Sequence, residues 1–315
     1  MKLFLGVDGG QSGTVAAIGD ETGRVLGVGE AGPSNHAAGA EGRAKLERAV
    51  RESVAHAAAK AGFAPASLAF ASACFGMSGG PEDKEALIAS LVRAGHLVVT
   101  IDAVVALAGA TSSGLGVVVI AGTGSMAFGR NAAGRTARAG GWGYIFGDEG
   151  GAFDMVRQAA RAALRMEEGW GPQTSLGAAL LEATGFAGAN EMLHGFYTPD
   201  WPRNRVAALA PLVDRAAGVG DAVAQRIVTQ SAQELAQLVA AVRGQLWRPA
   251  EPVEVSYIGG VFESQMLIER FRLLVEMEPG NKLAAPQHPP HLGALREAYR
   301  AAGIPVSPRG GETTR

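Results

Sequence analysis

Two glycine-rich turns in this sequence carry hydroxyl side chains and could bind phosphate. Residues 8–14 read Asp-Gly-Gly-Gln-Ser-Gly-Thr, and residues 121–125 read Ala-Gly-Thr-Gly-Ser. Successive backbone N–H groups in a tight turn form a positive concavity, and hydroxyl groups add donors for phosphate oxygens. The expected phosphate contacts are Gly10, Gln11, Ser12, Gly13 and Thr14 in the first turn and Gly122, Thr123 and Gly124 in the second.

The first turn taken alone could equally be a glycine-rich hairpin closed by an Asx turn. The second turn lies at the equivalent point of a second set of predicted strands, and this equivalence favours phosphate binding by both. Asp8 lies at the end of the first predicted strand, where its carboxylate could hold Mg2+ through water. Together these features predict a site for the phosphates of a nucleotide.

A third turn, at residues 258–262, follows a predicted strand and precedes a predicted helix. Its glycines, Gly259 and Gly260, would let an adenosine moiety approach the backbone closely. No G-x-G-x-x-G opens a helix within a parallel βαβ unit, and the sequence has no Walker A lysine motif. The pattern is therefore not that of a dinucleotide-binding or P-loop protein.

Asp102 ends an apolar strand predicted at 97–101 and precedes a helix predicted at 103–110. By itself this position is also typical of a helix cap. Phosphoryl transfer to a hydroxyl group needs positioning, charge stabilisation and a carboxylate that orients the hydroxyl and takes its proton. Beside two phosphate-binding turns, Asp102 is the candidate general base.

Residues 140–150 form the most distinctive segment, dense in glycine and aromatic residues. The glycines let the backbone approach a sugar, and Trp142 offers an apolar face to pyranose C–H groups. Asp148 can accept hydrogen bonds from hydroxyl groups. The alternative is a glycine-rich loop with Trp142 in the core.

Two segments at predicted strand ends, 33–36 and 76–80, could supply further donors to a sugar. Asn35 could bind a hydroxyl group through both atoms of its amide, and Ser78 offers a hydroxyl. A lone histidine such as His36 is more often structural than functional. Cys74 is interpreted as a small buried hydrophobic residue without a chemical role.

Composition excludes several other classes of function. The 315 residues are 47% hydrophobic and carry 28 Lys and Arg against 30 Asp and Glu, so nothing indicates nucleic-acid or anionic membrane binding. One cysteine excludes an intramolecular disulfide, a multi-cysteine zinc site and a four-thiolate cluster. The apolar N-terminal stretch is too short for a signal peptide, and no apolar run approaches the ~18 residues of a membrane span. A small-molecule partner and a cytoplasmic location are expected.

Periodicity predicts the element order βββαβαβ twice, with a helical block inserted at about 175–247. The predicted helices include residues 81–94 in the first set and residues 263–277 in the second. This order is typical of an α/β protein with duplicated ribonuclease H-like domains flanking a cleft, the actin-like ATPase fold. The expected N-terminal lobe comprises residues 1–113 and 287–304, and the expected C-terminal lobe comprises residues 114–286. Residues 305–315 are expected to be a disordered tail.

The ordered succession of these motifs over about residues 3–303 resembles the N-acetylglucosamine kinases of the BadF/BadG/BcrA/BcrD ATPase family. The resemblance implies ATP-dependent phosphorylation of an amino sugar, most simply N-acetylglucosamine at position 6, by a homodimer, with Asp102 as the base. It implies sugar contacts at Asn35, Ser125, Met126, Gly141, Trp142, Gly143 and Asp148, and ATP contacts at Ser12, Thr123, Ala217, Gly260 and Ser264. Many relatives carry a third glycine and a basic residue where this chain has Gln11 and Gly13, so Mg2+ would carry more of the charge stabilisation.

The sequence leaves three alternatives open. Glucosamine, N-acetylmuramate or glucose could be the acceptor. An ATPase that activates a 2-hydroxyacyl-CoA dehydratase would need two thiolates per chain for a cluster shared by two subunits, and Cys74 supplies one. A sugar sensor without catalysis would bind a sugar and release no ADP.

Overall fold

The computed structural model describes residues 1–11, 13–34, 39–64, 68–80 and 82–310. Contacts divide the chain into two compact units. Unit 1 comprises Met1–Leu115 and Pro286–Arg315, and unit 2 comprises Gly116–Ala285. Within the described ranges, no helix is both long enough and apolar enough to span a bilayer.

Unit 1 is built around a five-stranded mixed sheet. Its elements are β1 (Leu3–Gly9), β2 (Thr14–Asp20), β3 (Val25–Ala31), α1 (Gly39–Lys60), β4 (Phe70–Met77), α2 (Glu85–Leu91), β5 (Ala94–Ile101), α3 (Asp102–Ala110) and, near the C-terminus, α11 (Pro290–Ala301). The strand order is β3-β2-β1-β4-β5. The first three strands are antiparallel, whereas β1, β4 and β5 run parallel. The carboxyl ends of β1, β4 and β5 therefore share one edge of the sheet.

Helices cover both faces of this sheet, and for this reason its central strands are apolar along most of their length. Leu46, Val50 and Ala57 of α1 are buried against one face. On the other face α11 packs so closely on β1 that a Cβ at Gly6 would lie 2.1 Å from the Leu295 backbone nitrogen. Glycine at position 6 is therefore required by the helix–strand contact rather than by a turn.

Unit 2 has its own five-stranded sheet and the inserted helices. Its elements are β6 (Gly116–Ala121), β7 (Ser125–Arg130), β8 (Thr136–Gly140), α4 (Ala152–Glu167), α5 (Leu176–Thr184), α6 (Ala189–Phe196), α7 (Arg203–Ala207), α8 (Ala210–Gly218), α9 (Ala222–Leu246), β9 (Val253–Ile258), α10 (Gln265–Glu276) and β10 (Asn281–Leu283). The strand order is β10-β9-β6-β7-β8. Strands β6, β7 and β8 are antiparallel, and β9 lies parallel to β6 and to β10. This is the topology of unit 1, and the predicted duplication is confirmed.

Two predicted helices differ in extent from those observed. The helix predicted at 81–94 covers only Glu85–Leu91, because Val92 is extended and residues from Ala94 onward pair with β4. The helix predicted at 263–277 is preceded by a separate 3-10 turn, Gly260–Glu263. Ser264 then caps α10 by accepting a hydrogen bond from the Leu267 N–H at 3.2 Å.

The prediction of a disordered tail from residue 305 is wrong for residues 305–310. Arg309 N–H donates to the Gly23 carbonyl at 2.7 Å, and Val25 N–H donates to the Arg309 carbonyl at 3.0 Å. These two bonds form a β-bridge between Arg24 and Arg309. Backbone pairing thus orders a segment whose composition alone indicated disorder, and residues 311–315 lie outside the described residues.

Candidate active site

Polar side chains follow the three parallel strands of unit 1 at the edge where these strands end. Asp8 lies near the end of β1, Ser78 follows β4, and Asp102 follows β5; all three are half-buried. The Ser78 N–H donates to the Gly9 carbonyl at 2.9 Å, which ties the β4 end to the β1 end. The shared edge therefore brings two carboxyl groups and a hydroxyl group together.

The Asp102 carboxylate is oriented through both of its oxygens. Oδ2 accepts a hydrogen bond from the Ser78 hydroxyl at 2.7 Å, and Oδ1 accepts one from the Ala103 N–H at 2.8 Å. The second bond belongs to the first turn of α3, so Asp102 stabilises the helix start as well as facing the strand edge. A carboxylate held in this way is suited to orienting a substrate hydroxyl group.

Burial, followed by the negative charge of Asp102, raises the pKa of Asp8 to about 7. A bound cation would relieve both effects, so the Asp8 carboxylate fits Mg2+. Among the described residues, no group of three or more His, Cys, Asp or Glu side chains is arranged to hold a metal. Mg2+ commonly keeps several waters and takes the rest of its ligands from one or two carboxylates and substrate phosphates.

We expect Asp8→Asn to stabilise the metal-free protein at pH 8 and to change its stability less at pH 5. The folded protein binds the Asp8 proton more tightly than the unfolded chain does. The contribution of this proton to the stability of the folded protein is therefore complete below the ordinary pKa of 3.8 and is lost as pH rises through about 7. Asparagine stays neutral and avoids this loss. Melting temperatures in EDTA at the two pH values would check it, and an equal shift at both would contradict it.

The first turn is closed by its own backbone. Gly10 N–H donates to the Gly13 carbonyl at 2.9 Å, while Gln11 is exposed. Thr14 is buried and its hydroxyl donates to the Gly32 carbonyl at 2.9 Å, so the prediction that this hydroxyl donates to phosphate is wrong. Ser12, Asn35 and His36, predicted to contact ATP or sugar, lie outside the described residues.

The second turn is attached to the start of α4. Ala152 N–H donates to the Gly122 carbonyl at 2.8 Å, Phe153 N–H donates to the Thr123 carbonyl at 3.2 Å, and Gly122 N–H donates to the Gly124 carbonyl at 3.0 Å. The Thr123 side chain is half-buried. Its hydroxyl makes no hydrogen bond to the described residues, so it is free to bind an anion.

Asp148 carries a buried charge beside the second turn in unit 2. It has a left-handed backbone with φ of 66° and is 6% exposed. Its Oδ1 accepts a hydrogen bond from the Ser125 N–H at 3.4 Å, and its Oδ2 accepts a short hydrogen bond from the Arg203 guanidinium. A Cβ at Gly124 would lie 2.4 Å from Asp148 Oδ2, so the ion pair requires glycine in the second turn.

Arg203 is the residue of this site that the sequence did not reveal. It opens α7 and neutralises Asp148, and its guanidinium lies over the rings of Tyr144 and Phe153 at 5.3 and 5.7 Å. A buried carboxylate needs such a partner. The need for a cation could be anticipated from Asp148, but 55 residues separate the two, and no spacing rule selects Arg203 among the arginines of the helical block.

The glycine-rich loop exposes its aromatic residues. Trp142 is 66% exposed, with the Arg138 guanidinium 5.0 Å from its ring centroid, which excludes the alternative of a core tryptophan. Gly141 and Gly143 both have positive φ, and Gly141 lies against the half-buried Met126. Ser125 is buried and its hydroxyl donates to the Glu149 carbonyl at 2.5 Å, so this hydroxyl can only accept a bond from a sugar.

The third turn lies against the end of β6. A Cβ at Gly259, whose φ is 115°, would be 2.3 Å from the Ala121 carbonyl oxygen, whereas the space beside Gly260 is open. The Ser264 hydroxyl is occupied by a short bond to Asp214 and by its role as helix cap. The Ser264 hydroxyl therefore has no free proton to donate to ATP, contrary to the expectation.

The predicted contact of Ala217 with ATP also needs correction. Its side chain is completely buried in the core of unit 2, and its carbonyl accepts a hydrogen bond from Gln225 at 3.1 Å. A nucleotide cannot reach this side chain. The exposed residues beside it are 218–220, whose backbone is accessible.

Two units with one repeated strand order define the class: the protein has the actin-like ATPase fold. The chain belongs to the BadF/BadG/BcrA/BcrD ATPase family, whose sequence profile matches residues 5–298.

Individual relatives are similar over nearly the whole chain. An N-acetylmuramic acid/N-acetylglucosamine kinase of Clostridium acetobutylicum is 33% identical over 303 residues, covering 94% of this chain and 97% of that protein. An N-acetyl-D-glucosamine kinase of Dictyostelium discoideum is 28% identical, covering 93% and 96%. A crystal structure named as an N-acetylglucosamine kinase of Chromobacterium violaceum has a TM-score of 0.75 at 28% identity, covering 94% and 98%.

Proposed function

We propose that this ATP-dependent amino-sugar kinase phosphorylates N-acetylglucosamine on its 6-hydroxyl group, with Asp102 as the general base. The observation that carries the proposal is the Asp102 carboxylate, oriented at a strand edge by Ser78 and Ala103. A role as helix cap alone would not explain why a second acid, Asp8, lies beside Asp102. Burial and the negative charge of Asp102 raise the pKa of Asp8 to about 7. The names of the relatives support an amino sugar as the acceptor.

In this proposal Asp102 accepts the proton of the sugar hydroxyl as its oxygen attacks the γ-phosphorus of ATP. The bond between the γ-phosphorus and the β–γ bridging oxygen breaks, and ADP leaves. Asp8 would hold Mg2+ through water, and the ion would supply charge stabilisation for the phosphates. N–H groups of the first turn and the Thr123 hydroxyl add donors to them.

Unit 2 supplies the proposed sugar and adenosine contacts. The exposed face of Trp142 packs on the pyranose ring, and the Asp148 carboxylate accepts hydrogen bonds from sugar hydroxyls. The open space at Gly260 and the exposed backbone of residues 218–220 are available to adenosine. These assignments place the reaction chemistry in unit 1 and most of the recognition in unit 2.

An ADP-release assay with a panel of acceptors tests this proposal. We expect the highest kcat/KM with N-acetylglucosamine, lower values with N-acetylmuramate, glucosamine and glucose, and slow ATP hydrolysis without sugar. N-acetylmuramate is the critical comparison, because the Clostridium acetobutylicum relative is named for both sugars. A higher kcat/KM with N-acetylmuramate would move the assignment to that acceptor.

Two other outcomes would replace the kinase assignment. Binding of a sugar without any ADP release would indicate a sensor. ADP release that no sugar accelerates would indicate an ATPase of another kind. An activator with a shared cluster is disfavoured by the structure, since Cys74 is the single cysteine and is fully buried.

A further inference from the structure

A groove between α4 and α9 carries positive charge that the proposed kinase site does not use. Its first cavity has a volume of about 410 Å3 and is lined on α4 by Arg161 and Arg165, on α9 by Arg226, and by Trp170. None of its lining residues is acidic. The first cavity includes no residue of the three glycine turns or of the 140–150 loop, and the adjoining cavity reaches only Glu149 of that loop. We call this cavity, with the one that adjoins it, the arginine groove.

Two of these arginines lack a counter-charge. Arg161 and Arg226 are exposed and make no ion pair or hydrogen bond with the described part of the chain. Arg157, by contrast, is paired with Asp154 at 2.5 Å, and Arg165 lies 4.7 Å from the Trp170 ring centroid. Arginines four residues apart on one helix repel each other, so positions 157, 161 and 165 carry a small cost that a bound anion would remove.

The adjoining cavity gives the arginine groove a second, acidic end. It has a volume of about 370 Å3 and shares Arg161 and Arg226 with the first, but its lining includes Glu149, Asp154 and Glu234. Asp154 is occupied by Arg157 and Gln158, and Glu234 accepts a hydrogen bond from Gln230. The Glu149 carboxylate is exposed and has no partner among the described residues.

We propose that the arginine groove binds a small phosphate monoester that also carries hydroxyl groups, namely a sugar phosphate. Arg161 and Arg226 bind the phosphate dianion, since guanidinium groups match phosphate geometry and retain their charge. Glu149 accepts hydrogen bonds from the hydroxyl groups. The cavity volumes are in the range of pockets for small metabolites and exceed what a free phosphate ion needs.

Isothermal titration with N-acetylglucosamine 6-phosphate and with inorganic phosphate tests the site on the full chain. We expect Arg161→Ala/Arg226→Ala to weaken sugar phosphate binding at the groove at least tenfold. Arg161→Lys/Arg226→Lys should retain part of the affinity. The matched control is Arg48→Ala in α1, an exposed arginine without a partner among the described residues, and it should change nothing.

A further variant tests the acidic end. Glu149→Gln should weaken binding of the sugar phosphate but not of inorganic phosphate. Equal affinity of the wild type for the two probes would overturn the assignment of a sugar phosphate in favour of the free ion. Unchanged binding in the double alanine variant would overturn the site itself.

The oligomeric state and the kinase assay distinguish this anion site from a subunit contact and from the kinase site. A double alanine variant that changes sedimentation behaviour but not anion affinity would identify the groove as a contact between copies and overturn the proposal. The double alanine variant should keep the kcat of the wild type at low product concentration. A protein without kinase activity that still loses phosphate binding in this variant would leave the groove standing and remove only the proposed function.

Discussion

Asp102→Asn is expected to lower kcat by about 10²- to 10⁴-fold while KM for the sugar and for ATP changes little. Asparagine has the size of aspartate and can still bond to Ser78 and to the Ala103 N–H, but it cannot take a proton. The loss should therefore appear in the chemical step. Steady-state kinetics with N-acetylglucosamine as acceptor measures it directly.

The control for Asp102→Asn is a variant of Ser78, whose hydroxyl donates a hydrogen bond to Asp102. Ser78→Ala removes the 2.7 Å bond to Asp102 but keeps the carboxylate, so we expect a fall in kcat of about tenfold, in line with the loss of one bond to a charged group. Both variants should melt close to the wild-type temperature. For Asp102→Asn the reason is that Asn and Asp are similar at helix starts. Full activity of Asp102→Asn would remove this residue from the role of base.

Asp148→Asn is expected to lower the free energy of unfolding by about 3 kcal/mol and kcat/KM for the sugar by at least tenfold. Asn tolerates the left-handed backbone at this position better than most residues, so the change isolates the charge. The variant leaves the Arg203 guanidinium, which is 26% exposed, without its counter-ion. Urea unfolding and the dependence of rate on sugar concentration measure the two effects.

The double variant Asp148→Asn/Arg203→Met separates stability from recognition. Removing both charges should recover most of the lost stability, since no unpaired charge remains buried. If Asp148 contacts the sugar, kcat/KM should stay low in the double variant. Recovery of both quantities together would show that Asp148 acts only as the partner of Arg203.

Local patterns in the sequence were sufficient to predict most of the fold. Alternating and continuous apolar runs gave the strands, and the repeated order of elements gave the two equivalent sheets. Asp102 could be recognised as a candidate because the end of a buried strand and the start of a helix meet at that residue. These features depend on residues close together in the chain.

The corrected assignments all depend on residues far apart in the chain. The Thr14 hydroxyl is occupied by the Gly32 carbonyl, and the Ser264 hydroxyl is occupied by Asp214. Ala217 is buried because α8 packs its apolar side into the core of unit 2. Hydrogen-bonding capacity is visible in a sequence, but the partner that uses it is decided by tertiary packing.

The identity of the product decides whether the protein phosphorylates N-acetylglucosamine on its 6-hydroxyl group. The protein would be incubated with ATP, Mg2+ and N-acetylglucosamine, and the products would be examined by 31P and 1H NMR. We expect a phosphate monoester whose phosphorus couples to the two protons on C6 of the sugar. Release of inorganic phosphate with the sugar unchanged would contradict it.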